Sequence, residues 1–228
     1  MGMSQGAIVF RNKTALSPEE VVQRLFKREI TNLQVSHLDT RKPYNTLVER
    51  YDDVWVISNS DLVHPVLENP SKGIGIDLAA LGNPELVVAF CIYSTSDTHG
   101  FAIIENGVLK RSRFQVQGED VIEYGDPQPF EHKWLTADYY YEEEDDDLPE
   151  EERAKVLYIN NRQMIVMEDH LTMRLAVEAL EESFGFCPWI TNQRPLCTFL
   201  HLGDELTSTP GSDVAIPHRK AKPWWKIW

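Results

Sequence analysis

Ser94, Thr95, Ser96, Asp97, Thr98 and His99 bring hydroxyls, a carboxylate and an imidazole into six consecutive residues. Side chains of these types transfer protons in hydrolysis, provided that a base, its orienting carboxylate and a reacting group meet in one pocket. Asp97 and His99, joined by Glu131 from farther along the chain, are the candidate catalytic set. Glu131-His132 and Glu168-Asp169-His170 add carboxylates and imidazoles of the kind that ligate divalent ions. Neither has a diagnostic spacing, because neighbouring strand residues face opposite ways and only a pattern such as His-Glu-x-x-His preorganises two ligands on a helix. Solvated polar residues are the plain alternative for both, and a polar turn that satisfies its own backbone is the alternative for residues 94–99. No metal site and no cofactor are assigned.

Other signatures fall away on inspection. Gly73-Ile74-Gly75 lacks the third glycine, the preceding strand and the Lys-Ser/Thr of a phosphate loop. No Gly-x-Ser-x-Gly elbow is present. Cys91, Cys187 and Cys197 form no Cys-x-x-Cys pair, which fits reduced thiols better than a disulfide framework or zinc ribbon.

The elements that must position these side chains are legible in part. Ala7 to Phe10 reads as a short strand. Ser17-Pro18-Glu19-Glu20 combines an N-cap, a first-turn proline and a capping-box glutamate, so a helix is expected over Pro18 to Glu29 with Val22, Leu25, Phe26 and Ile30 on its apolar side. Val54 to Ile57 and Leu86 to Tyr93 are apolar, β-branched runs expected as central strands. The Pro- and Gly-rich stretch between them predicts short helical turns and loops. Asn106-Gly107 between Phe101–Ile104 and Val108–Val116 predicts a tight hairpin. A second helix is expected over Asp169 to Phe184, closed by Gly185, and a last strand over Thr198 to Leu202. The fold expected from this order is a single α+β domain over residues 1–217, with a mainly antiparallel sheet packed by two principal helices.

Two segments are chemically extreme. The formal charge is -14, yet ten acids lie between Asp138 and Glu152, leaving only about -4 for the rest. That tract has no apolar period and is expected to be a mobile loop contributing little to folding. No Arg/Lys-rich face is evident to bind duplex nucleic acid. Residues 218–228 form a basic, Trp-rich tail: Arg219, Lys220, Lys222 and Lys226 supply cations, and Trp224, Trp225 and Trp228 supply half of the six tryptophans. Charge steers and indoles anchor, so the tail is expected to dock on a protein partner or on another copy of the chain. Peripheral membrane contact is the lesser alternative, and packing of the indoles on the chain's own core is the third reading. The N-terminus lacks a signal peptide pattern and no apolar run approaches the roughly 20 residues of a membrane span, so a cytoplasmic location is expected.

Phe101-Ala102, Glu105 to Ser112, Gly125-Asp126-Pro127-Gln128-Pro129-Phe130-Glu131, Trp134 and Phe184-Gly185-Phe186 together resemble a bacterial family of uncharacterised proteins. The resemblance spans residues 60–190 and implies a shared α+β fold, without an activity to carry over. The function read from the sequence is a non-enzymatic protein-binding protein of accessory or immunity type. Its alternative is a hydrolase using Asp97, His99 and Glu131.

Overall fold

Antiparallel pairing of apolar strands builds the central layer of the molecule. In the computed structural model, which describes residues 4–142, 149 and 153–206, these are β1 (Ser4–Arg11), β2 (Arg28–Asn32), β3 (Asn45–Tyr51), β4 (Val54–Ser58), β5 (Leu86–Tyr93), β6 (Thr98–Glu105), β7 (Val108–Gln115), β8 (Ile122–Tyr124) and β12 (Leu196–Glu205). They form one sheet in the order β2-β12-β3-β4-β1-β5-β6-β7-β8. A second sheet has the order β11-β10-β9, from β9 (Asp138–Tyr141), β10 (Lys155–Ile159) and β11 (Met164–Met167). Every strand pairing is antiparallel, and the fold is α+β as expected.

Strand alternation divides the core in two. Ile8, Phe10, Ile57, Val87, Ala89 and Phe114 face one side of the large sheet, with Val21 and Val22 of α1 (Pro18–Phe26) and Val66 and Leu67 of α2 (His64–Glu68). Ala7, Val9, Val88, Phe90, Phe101 and Ile103 face the other, against Trp134 of α3 (Pro129–Leu135) and Leu175, Ala179 and Leu180 of α4 (Leu171–Phe184). Both sides of the central strands are therefore buried, which explains why β5 reads as a continuous apolar run. No helix among the described residues is long and apolar enough to cross a membrane. All three cysteines are free thiols.

Several expectations change. The first helix does not run to Glu29: Lys27 adopts a left-handed conformation, φ 55°, and Arg28–Asn32 becomes β2. Ile30, which fits the helical period, lies instead in that strand opposite Leu202 of β12. The second helix begins at Leu171 after a 3₁₀ turn over Glu168–His170, while Gly185 closes it with φ 82° as expected. The acidic tract starts as structure: Asp138–Tyr141 pairs in register with Lys155–Tyr158, so the mobile-loop reading fails for those four residues. The rest of the tract lies outside the described residues except Glu142 and Pro149. α3 is a helix for which the sequence carries no expectation above. Its proline at the first turn and the amide of Gln128 donating to the Glu131 carboxylate mark a helix start.

Candidate functional site

On β7 the residues Arg111, Arg113 and Gln115 alternate with Phe114, which belongs to the opposite core, so their side chains enter the layer under α3 and α4. Arg111 is 1% exposed and its guanidinium is almost wholly committed. Nε donates to both Glu131 oxygens at 2.9 and 3.1 Å, Nη2 donates to Glu131 Oε2 at 2.8 Å and to Glu123 Oε1 at 2.6 Å, and Nη1 donates to the Gly125 carbonyl at 3.2 Å. Arg113 shares Glu123 and donates through Nε to Thr172 Oγ1, whose hydroxyl donates in turn to Gln115 Oε1. One polar chain thus ties β7, β8, α3 and α4 together. Burial works against the charge on Arg111, but its hydrogen bonds to Glu131 and Glu123 prevail and raise its pKa. The carboxyl of Glu123 is likewise lifted by burial yet held below the usual range by the two guanidiniums.

Glu131 is thus one half of a buried ion pair. It is fully buried and accepts from Arg111 and from the Gln128 amide. It does not meet the other two candidates. His99 lies opposite Gln115 and Ile103 opposite Arg111, so four residues, about 13 Å of strand, separate His99 from the arginine that holds Glu131.

Asp97 and His99 are brought together through His170, one of the residues that the sequence offered as further ligands beside them. His170 stands edge-on to His99, with ring centroids 5.9 Å apart, and its Nε2 is 4.0 Å from Asp97 Oδ1. His99 is buried in β6, and its Nδ1 has no hydrogen-bond partner among the described residues. Burial first, and His170 second, lower its pKa, against opposing pulls from Asp97 and Asp169. Burial thus favours the neutral form of the ring. Among the described residues no group of three or more His, Cys, Asp or Glu side chains could hold a metal ion.

The lowered value has a stability consequence. Between the folded and unfolded pKa of His99 the unfolded chain binds more protons, so the contribution of this group is complete above about pH 6.5 and is lost as pH falls through that window. In urea unfolding at pH 7.5 and 5.5, His99→Gln should show a smaller loss between the two pH values than the parent. Equal losses would mean that this imidazole does not govern the acid limb.

A second imidazole group is legible only in hindsight. His64 and Glu68, four apart on α2, meet at 2.8 Å through Nδ1 and Oε1. The Tyr93 hydroxyl lies 3.4 Å from His64 Nε2, and the two rings stack at 5.8 Å and 6°. His-x-x-x-Glu at helical spacing is the signal that could have revealed the pair. Burial pushes the Tyr93 phenol up, which keeps it protonated, and a Cβ on Gly6 would press on that hydroxyl. The group is packed into the fold beside β1.

The proposed docking residues Arg219, Lys220, Lys222, Trp224, Trp225, Lys226 and Trp228 lie outside the described residues. Aromatic surface that the structure does describe occurs on β9. Tyr139 is 53% exposed and edge-on to Tyr141 at 5.7 Å, with Lys155 Nζ 4.6 Å from its ring centre. On the other side of the strand, the Arg162 guanidinium caps Tyr140 at 4.5 Å and Tyr158 at 5.2 Å. β9 is an edge strand, bonded to β10 alone among the described strands.

Comparison with curated proteins and with solved structures yields no match. A family model does match, over residues 9–154, from within β1 to the residue before β10. This span begins well before residue 60, where the sequence resemblance starts, and stops short of α4. The Arg113–Thr172 and Trp134–Glu178 hydrogen bonds tie the matched part to that helix. The chain belongs to the Family of unknown function (DUF6928).

Proposed function

We propose that this family member is a non-enzymatic protein-binding protein, of accessory or immunity type, which docks through the edge of β9. The observation behind this reading is the run Tyr139-Tyr140-Tyr141 on an edge strand, braced by cation–π contacts from Lys155 and Arg162 and leading into an acidic run. Tyrosines held in this way bury large area at small entropic cost, and an unpaired strand edge offers backbone donors and acceptors for strand addition. The acids beside it add long-range attraction for a basic partner. The tail is assigned a supporting part: Arg219, Lys220, Lys222 and Lys226 steer, while Trp224, Trp225 and Trp228 anchor. The hydrolytic alternative is weakened by the withdrawal of Glu131 into the Arg111 fork.

Affinity capture from the source organism should recover a discrete partner with the full chain. Tyr139→Ser/Tyr141→Ser should lose at least about tenfold of it, since tyrosine is enriched among interface residues whose truncation costs about 2 kcal/mol or more. Removal of 218–228 should weaken capture further while leaving the melting transition in place. The reading is abandoned if the double tyrosine variant, still folded, captures the same proteins in the same amounts.

A further inference from the structure

At one end of the large sheet, on the α1 side, a cleft of about 670 Å³ opens between the segment after β1, the β3–β4 turn and the chain entering β12. Register explains its lining. Arg50 stands opposite both Trp55 and Leu196, so these three side chains share one face of adjacent strands. Leu196, 66% exposed, supplies the apolar surface, while Trp55 is only 5% exposed and forms the floor beneath it. Arg194 and Gln193 form one wall and Asn12 the other.

The charges are unevenly matched. Asp53 is taken up by Arg11, whose Nη1 donates to both of its oxygens, while Asp52 is exposed at the tip of the turn. Arg50 and Arg194 have no carboxylate partner among the described residues, in a chain whose formal charge is -14. Arg50 is also placed rather than loose: its guanidinium carbon lies 6.0 Å from the Trp55 ring centre, and its Nε is buried without an acceptor. That Nε is enclosed and out of reach of the cleft, so the terminal guanidinium nitrogens of Arg50, which is half-buried at the cleft wall, are the donors an outside partner would meet. Guanidinium groups pair best with planar or tetrahedral oxyanions, through parallel hydrogen bonds.

We propose that this cleft binds a small organic oxyanion, a carboxylate or phosphate carried on a flat apolar body. The oxyanion sits between Arg50 and Arg194, and the body lies against Leu196, above the floor that Trp55 forms. This site is separate from the β9 edge, and the proposal does not depend on protein binding there.

Isothermal titration of the full chain with phenyl phosphate, benzoate and inorganic phosphate tests the assignment and distinguishes the two head groups. At least one aromatic probe should bind saturably, more tightly than inorganic phosphate, and more weakly as salt is raised. Arg50→Met and Arg194→Ala should each reduce its affinity at least tenfold. Arg194 is exposed, so its variant remains informative even if Arg50→Met fails to fold. Absence of saturable binding by both aromatic probes, affinity unchanged in Arg194→Ala, or inorganic phosphate binding as well as the aromatic probes would each overturn the proposal.

Discussion

Glu131→Ala should lower the free energy of unfolding by about 3–5 kcal/mol, the usual cost of removing one member of a buried ion pair. The side chain is fully enclosed, and its loss leaves Arg111, itself 1% exposed, with a charge that only Glu123 still offsets. The Gln128 amide at the start of α3 also loses its acceptor. For a chain of this size the melting temperature should fall by on the order of 10 °C. The paired change Arg111→Met/Glu131→Leu should cost less than the sum of its single changes, because it removes the stranded charge as well as the attraction. Thermal and urea unfolding of the three variants measure this directly. A loss below about 1 kcal/mol for Glu131→Ala would mean that the network is not fully formed in solution, and would reopen a chemical role for that carboxylate.

Gly125→Ala should be comparably severe through the backbone. Gly125 has φ 74°, where a side chain costs roughly 1–2 kcal/mol. A Cβ there would collide with the Lys110 carbonyl group and crowd the Arg111 Cα, backbone atoms that cannot swing aside. The Gly125 carbonyl also receives Arg111 Nη1, so displacing the turn between β8 and α3 disturbs the ion-pair chain from its other end. Gly185→Ala is the control: φ is 82°, but nothing lies within 4 Å of an added Cβ. It should therefore lose only the conformational cost, roughly 1–2 kcal/mol. Equal losses for the two variants, read from urea midpoints at unchanged slope, would show that the contact with Lys110 is relieved and that positive φ alone explains both.

Signals that act over a few residues are the ones the sequence carries plainly. The β5 run, the Asn106-Gly107 hairpin, the Ser17-Pro18-Glu20 start of α1 and the Gly185 stop of α4 each depend on residues within about one turn or one hairpin of one another. The end of α1 was misleading for the same reason. Ile30 satisfies the helical period locally, while pairing with Leu202, far along the chain, puts it in a strand. β9 was hidden because acids surround its three tyrosines, and only β10, across the tract, provides the ladder that makes them a strand.

The candidate site divides along the same line. That Asp97 and His99 lie near one another follows from a tight β5–β6 connection, but His170 reaches them from the turn before α4. Glu131 has the same chemical capacity in any fold; Arg111, twenty residues earlier in the chain and brought alongside by the packing of α3 on β7, turns it from a possible acid into one half of a buried ion pair. By itself the sequence determined the α+β class, the antiparallel hairpins and the two extreme segments, because composition, turn chemistry and short-range periodicity act within the unfolded chain as well as the folded one. Strand order, the fate of each ionisable group and the positioning of Arg50 beside the cleft were decided by tertiary structure, since burial and charge pairing exist only once distant segments share a dehydrated interior.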